Sequence, residues 1–464
     1  MVVQHNLRAM NANRMLGITN RGLSKSSEKL SSGYKVNRAA DDAAGLSISE
    51  KMRKQIRGLT QASTNAEDGI SAVQTAEGAL TEVHDMLQRM NELAVKAANG
   101  TNSLSDRQTI QDEVTQLLTE IDRVAETTKF NELYLLKGDA DKIDRYLSAK
   151  DAGLTGIMQD GASAATFIMD AIKFGDTIKI GGKEYHIGIA GDAGVEAASA
   201  SIADAKAGDL ITIDGIQYTV TDGTGNADKN ILTVASIQEK IAPRSAIVYQ
   251  GKTYHVMEDL DGNEVADTDA MIITSSKAYS MIRQELELAN SVGANKTSAS
   301  VADKVLKTVD GKDKAVFSIT NKGLSEIRET LNFSLHVGAD ADMTNKIGVK
   351  IDALDTKGLG IYGLNVKDDS GISATYAIDA IAGAVARVSA QRSLLGAIQN
   401  RLEHTINNLD NVVENTTAAE SQIRDTDMAK EMVQFSNAGI LAQAGQSMLA
   451  QSNQANQGVL SLLQ

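Results

Sequence analysis

Apolar residues near the start of the chain return at steps of seven: Val2, Ala9, Leu16, Leu23 and Leu30, with Val3 and Met10 on the same side. A strict seven-residue repeat draws one narrow stripe along a helix and marks a coiled-coil seam. Gly33 and residues 37–45 interrupt it. A second stripe follows through Met52, Ile56, Leu59, Ser63, Ala66, Ile70, Val73, Ala76, Leu80, Val83, Leu87, Met90, Ala94 and Ala97, in steps of three and four. It predicts a helix over about 46–98, a rod of about 75 Å at 1.5 Å per residue. So long and narrow a stripe needs partner helices along its whole extent. The polar run from Asn99 to Ser103 stops it. Ile110, Val114, Leu117, Ile121 and Val124 then predict a third helix over 104–128, turned back antiparallel by the short loop.

The other end mirrors this. Ile378, Ile381, Val385, Val388, Leu395, Ile398, Leu402, Ile406, Leu409 and Val413 predict a helix over 376–416. Beyond a turn near Asp425, Leu441, Met448, Ala455 and Leu462 are seven apart, with Phe435, Ala442, Leu449 and Leu463 beside them. That gives an apolar side two residues wide, opposite a nearly uncharged side of Gln, Asn, Ser and Gly. A lone helix of this kind is marginal in water, and disorder is expected until it finds a partner.

Between the ends the period changes. Residues 178–187 align with 211–220 and 247–256, in register at Gly182, Gly215 and Gly251. Each copy alternates apolar and polar, turns at the glycine and alternates again, which predicts three β-hairpins. Small helices are expected at 275–294 and 300–307, and a last hairpin pairs 333–337 with 346–351. The chain therefore reads as mainly α with a β-containing insertion.

Composition sharpens this picture. The 464 residues include a single Pro, where average usage is about 5%. A chain that nearly excludes this helix breaker is built for long uninterrupted helices. Aromatic residues are 3% with no Trp, so the core is thin and the usual ring anchors of ligand pockets are scarce. The net charge is −14, and residues 139–330 hold 29 acids against 20 bases. That sign disfavours binding to nucleic acid or to anionic membranes. The absence of Cys excludes disulfides, thiolate catalysis and Cys-ligated metal centres. No apolar run of about 18 residues predicts a membrane span. Residues 1–38, with seven Lys or Arg and one acid, Glu28, lack the apolar segment of a cleaved signal peptide.

The two ends resemble bacterial flagellin. The likeness is carried by Leu30-Ser31-Ser32-Gly33, Asn37-Arg38-Ala39-Ala40-Asp41-Asp42-Ala43-Ala44-Gly45-Leu46 and Gln88-Arg89-Met90-Asn91-Glu92-Leu93-Ala94. At the other end it is carried by Ile423-Arg424-Asp425-Thr426-Asp427-Met428-Ala429-Lys430-Glu431-Met432 and by Val459-Leu460-Ser461-Leu462-Leu463-Gln464. It covers roughly 1–138 and 331–464. The resemblance implies a structural subunit that assembles into the flagellar filament for motility. It implies discontinuous terminal coiled-coil helices (1–43 and 425–464), a long-helix bundle with a β-hairpin (44–138 and 331–424) and an outer α+β variable domain (139–330). It also implies export by the flagellar type III route, an export chaperone on the C-terminal segment, contacts with filament cap and junction proteins, and an extracellular location.

Polymerisation is then expected to involve Leu16, Leu23, Leu30, Leu441, Met448, Leu449 and Leu462. Related flagellins bind Toll-like receptor 5, and the matching positions are Arg89, Leu93 and Glu113, with Gln88 beside them. Arg89 and Leu93 lie one helical turn apart and can share a face as a charged and an apolar anchor. The plainer alternative makes Leu93 part of the core stripe and Arg89 a solvated charge.

No catalytic, cofactor or metal residue is assigned. The six His (His5, His84, His186, His255, His336 and His404) form no His-Glu-x-x-His motif. His186 and His255 occupy equivalent repeat positions, but the middle copy has Thr219, which favours outward strand residues over a shared metal site. Asp259, Asp261 and Glu264 resemble a calcium loop only loosely, without its distal Glu, and read as an acidic turn. Asp41 and Asp42 read as a structural cap. The alternatives to a filament subunit are a hook–filament junction protein, a secreted adhesin or receptor ligand acting through the middle segment, and an enzyme.

Overall fold

The computed structural model describes residues 6–461 apart from 224, 227, 228, 310, 369 and 370. Val2, Val3, His5, Leu462 and Leu463 lie outside the described residues. The helices are α1 (Leu7–Ser32), α2 (Ala43–Ala98), α3 (Leu104–Thr127), α4 (Gly191–Ser201), α5 (Val234–Gln238), α6 (Ser275–Ser291), α7 (Thr356–Leu359), α8 (Ile372–Arg424) and α9 (Met428–Ser461). Among the described residues no helix is long and apolar enough to cross a membrane. The chain forms two compact units, one of Met1–Ser71, Ser334–Val349 and Ala397–Gln464, the other of Ala72–Phe333 and Lys350–Gly396. The division falls within α2 and α8.

In the first unit α1 packs along α9. Asn6 caps α1 by accepting from the Ala9 amide, and its side chain donates to the Ser452 carbonyl at 3.3 Å. Gly33 ends α1 in the left-handed region, where it returns a hydrogen bond to Lys29. Asp42 accepts from the Gly45 amide at the start of α2, and Asp41 accepts from the Arg38 amide and pairs with Lys25. Asp42 caps α2, and Asp41 braces the turn before it. Further along α2, Asn65 donates to the His336 carbonyl and Ser63 to Asp410. Gly69 lies close against Leu335, whose side chain would have to shift to admit a Cβ there.

In the second unit the α2 stripe from Val73 to Ala97 is fully buried, together with Ile110, Val114 and Ile121 of α3 and Ala377, Ile381, Val388 and Leu395 of α8. Arg107 is buried and donates to the carbonyls of Ala97, Asn99 and Asp368. Its cation closes the C-terminus of α2, where the helix dipole is negative.

All three repeat copies are hairpins: Thr177–Ile180 with Lys183–Ala190, Leu210–Ile213 with Ile216–Val220, and Ala246–Tyr249 with Lys252–Met257. Each two-residue turn has both residues at positive φ: Gly181 and Gly182, Asp214 and Gly215, Gln250 and Gly251. That is the type I′ geometry, and it explains why the second position is Gly in every copy. The hairpins join in one eight-stranded sheet. One core lies where it meets α4, around Ile202, Ile211, Ile247 and Val256. A second gathers Phe167, Phe317 and Tyr279 with the α6 residues Ile282 and Leu286. Residues 300–307 correct the expected helix. They form the strands Ser300–Val301 and Val305–Val309, both paired with Lys312–Asn321. The long edge of that neighbouring strand offers hydrogen bonds that override a weak local helix pattern.

Candidate assembly interface

The line of α1 that meets α9 is only half covered. Ala9, Ala12, Leu16, Thr19, Leu23 and Leu30 are half-buried, and so are Phe435, Ala438, Gly445 and Leu449 on α9, where Ala442 is buried. Both sets keep steps of three and four, as in a two-stranded coiled coil. Leu16 lies over Gly445, where an added Cβ would stand 3.3 Å from its Cδ1.

The two-residue-wide apolar side of α9 is therefore split. Leu449 belongs to the line that meets α1, whereas Leu441 and Met448 are 61% and 60% exposed. Ile440 is 67% exposed. On α1, Leu7, Met10 and Ile18 are exposed at 66%, 62% and 51% on the face away from the seam, and Met15 lies at its flank. A helix pair that covers one apolar line and leaves others in water has unused adhesive surface.

A polar clamp joins the base of this pair to the long helices. The backbone of Lys35 donates to Arg424 and that of Thr426 to Gly33. Arg424 donates to Glu50 at 2.7 Å and stacks over the Tyr34 ring at 4.8 Å. That hydrogen bond holds the Glu50 carboxyl below its ordinary pKa, and Arg53 bridges Glu50 and Glu420. Sequence reasoning missed both this cluster and Arg107. Each is an Arg at a helix end, and that position was the available signal.

The second unit brings Arg89 and Glu113 together. Arg89 donates to Glu113 at 2.9 Å and to Glu92 at 3.0 Å, which raises its pKa further. Gln88 contacts His84. Gln88, Arg89 and Glu113 are exposed, but Leu93 is only 3% exposed. Leu93 extends the buried stripe of Leu87, Met90 and Ala94.

Asp259 and Asp261 hold a tight turn by accepting from the Asn263 and Glu264 amides, and Asp267 lies with them. His186 and His255 lie close together, with ring centroids 5.4 Å apart. Burial, with His186 nearby, lowers the pKa of His255. A groove of about 330 Å³ runs between α6 and the start of α8, where the Tyr376 hydroxyl donates to Glu285.

Two family models match the chain. They describe the bacterial flagellin N-terminal helical region, over residues 3–141, and the C-terminal helical region, over residues 378–463. A flagellin of Clostridium tyrobutyricum is 39% identical over 461 residues, which cover 98% of this chain and 100% of that one. A flagellin of Bacillus subtilis (strain 168) is 35% identical over 465 residues, covering 100% of both. Among solved structures, FliC from Burkholderia pseudomallei is 18% identical over 72% of this chain and 99% of that one, with a TM-score of 0.28. The sequence relatives define a class of structural, non-enzymatic proteins that polymerise. This chain belongs to the bacterial flagellin family, whose members are components of the extracellular flagellar filament.

Proposed function

We propose that this subunit polymerises through the apolar lines of α1 and α9 that face away from their shared seam, and that the filament drives motility. The observation that carries this reading is the exposure of Leu7, Ile18, Ile440, Leu441 and Met448 on helices already paired with each other. Leu16, Leu23, Leu30 and Leu449 hold the pair together, and Leu441 and Met448 meet neighbouring copies. Such contacts join different surfaces of successive subunits, so repetition gives an open helical polymer. Neighbours stabilise the terminal pair by mass action, which couples its full ordering to assembly.

In this reading residues 1–43 and 425–464 form the filament core, 44–138 and 331–424 the bundle around it, and 139–330 the outward domain. The exposed apolar lines also explain the need for an export chaperone on the C-terminal segment during passage through the type III route. Cap and junction proteins meet the same lines at the filament ends. The test is Leu441→Asp, which puts a charge into the proposed contact without touching the α1 seam. The monomer should keep its circular dichroism and melting temperature, and seeded filament growth should stop in electron micrographs. Normal filaments would refute the assignment.

The same reading gives Gln88, Arg89 and Glu113 a second task as a polar patch for Toll-like receptor 5, with Leu93 supporting it from beneath. Arg89→Asp should reduce binding of the monomer to the receptor ectodomain at least tenfold in surface plasmon resonance. Unchanged binding would remove the patch.

A further inference from the structure

The repeat that builds the eight-stranded sheet places two imidazoles side by side. His186 lies on the long strand of the first hairpin, and His255 on the second strand of the third. These strands run parallel, with His255 opposite Gly188. Residues two apart on a strand share a face, so His186 and Gly188 point the same way, and His255 points with them. Gly188 has no side chain to separate the rings. Their centroids are 5.4 Å apart, with the planes tilted by 46°.

We propose that His186 and His255 are the protein ligands of a surface site for a divalent transition-metal ion of the zinc class. Two imidazoles bound to one zinc through bonds of about 2.0–2.1 Å at a tetrahedral angle have centroids about 5.2 Å apart, close to the spacing here. A second observation points the same way. His186 Nδ1 stands 3.1 Å from Thr177 Oγ1, the residue paired with it across the hairpin. With Nδ1–H donating to that hydroxyl, Nε2 carries the lone pair a metal needs. An outer partner of this kind on the second ring nitrogen is the usual companion of a metal-binding imidazole. Asp269 adds negative charge near His255. Water completes the coordination, since the site lies at the surface. The middle repeat copy has Thr219 at the equivalent position, so the site belongs to the junction of the first and third copies alone.

The full chain, freed of metal and titrated with zinc chloride alone by calorimetry at pH 7.5, should bind one zinc ion in the micromolar range. His186→Asn and His255→Asn should each weaken that binding at least tenfold. Thr177→Val should weaken it about tenfold while leaving both ligands in place. Asp261→Asn, in the separate acidic turn, should leave it unchanged. Absence of binding by the wild-type chain would overturn the proposal, and so would binding that survives both histidine variants or that falls only with Asp261→Asn.

Discussion

The three-and-four spacing that runs along α1 also runs along the second half of α2, yet the two helices end in opposite states. On α2, Val73, Ala76, Leu80, Val83, Leu87 and Met90 are fully buried. On α1, the leucines of the seam are half-buried, and a further apolar face lies open. Spacing does not distinguish them; the number of partners does. In its unit, the second half of α2 has α3 against it through Arg89–Glu113 and Arg107, and α8 through Glu77–Arg392. Among the described residues, α1 packs chiefly along α9. A heptad therefore states that a partner is needed, and the three-dimensional structure states whether the chain supplies it. Where it does not, the unmet face is the place to look for another copy.

The largest expected effect is the loss of filament growth with Leu441→Asp, because it acts on the unmet face alone. Its counterpart is Leu87→Ala in the saturated region. Truncating a fully buried leucine costs about 2–5 kcal/mol through lost transfer energy and the cavity left behind. Urea denaturation of the monomer should show that loss, whereas Leu441→Ala should shift the monomer by less than about 0.5 kcal/mol. If Leu441→Ala instead destabilised the monomer as much as Leu87→Ala, the two regions would not differ in saturation.

Much of this contrast was readable in the chain. The presence of the long helices and the three hairpins follows from period and from Gly182, Gly215 and Gly251, although α8 runs from Ile372 to Arg424, beyond the expected 376–416. Three things did not follow. Leu441 and Leu449 lie on adjacent lines of one apolar side, and only the packing of α9 on α1 assigns one line to solvent and the other to the seam. Leu93 has the same spacing as a surface anchor and as a core residue, so burial had to decide. Residues 300–307 form strands because the edge of Lys312–Asn321 recruits them, a non-local term that a window of eight residues does not contain. Likewise, the helix-end position of Arg424 does not say that its partners are Glu50 and Tyr34, far away in number.

A pH experiment sharpens the contrast at the level of charge. In the second unit, burial depresses the Lys150 pKa to about 8, partly offset by Asp379. The unfolded chain holds that proton up to about 10.4. Between these values the unfolded state binds more protons than the native state, so stability rises with pH. The rise is about 3 kcal/mol at about 1.4 kcal/mol per pH unit. Denaturation midpoints of wild type minus Lys150→Met, measured at pH 7.5, 9 and 10.5, should increase by that order. A flat difference would mean that the amine keeps its water.

The smallest effect tests whether the hairpin repeat is governed by turn geometry or by its strands. Gly251 lies at φ +77 with no atom within 4 Å of where a Cβ would stand. Any cost of Gly251→Val is then conformational and not a collision. Holding a β-branched residue in the left-handed region costs about 1–2 kcal/mol. Gln250, at φ +52, carries a milder form of the same strain. Gln250→Asn should return part of it, because Asn tolerates this region and Asn-Gly is the favoured type I′ pair. Opposite shifts in the melting temperature of the two variants would locate the determinant in the turn. If both shifts vanished, the sheet register alone would hold the hairpin, and the glycine shared by the three copies would need another explanation.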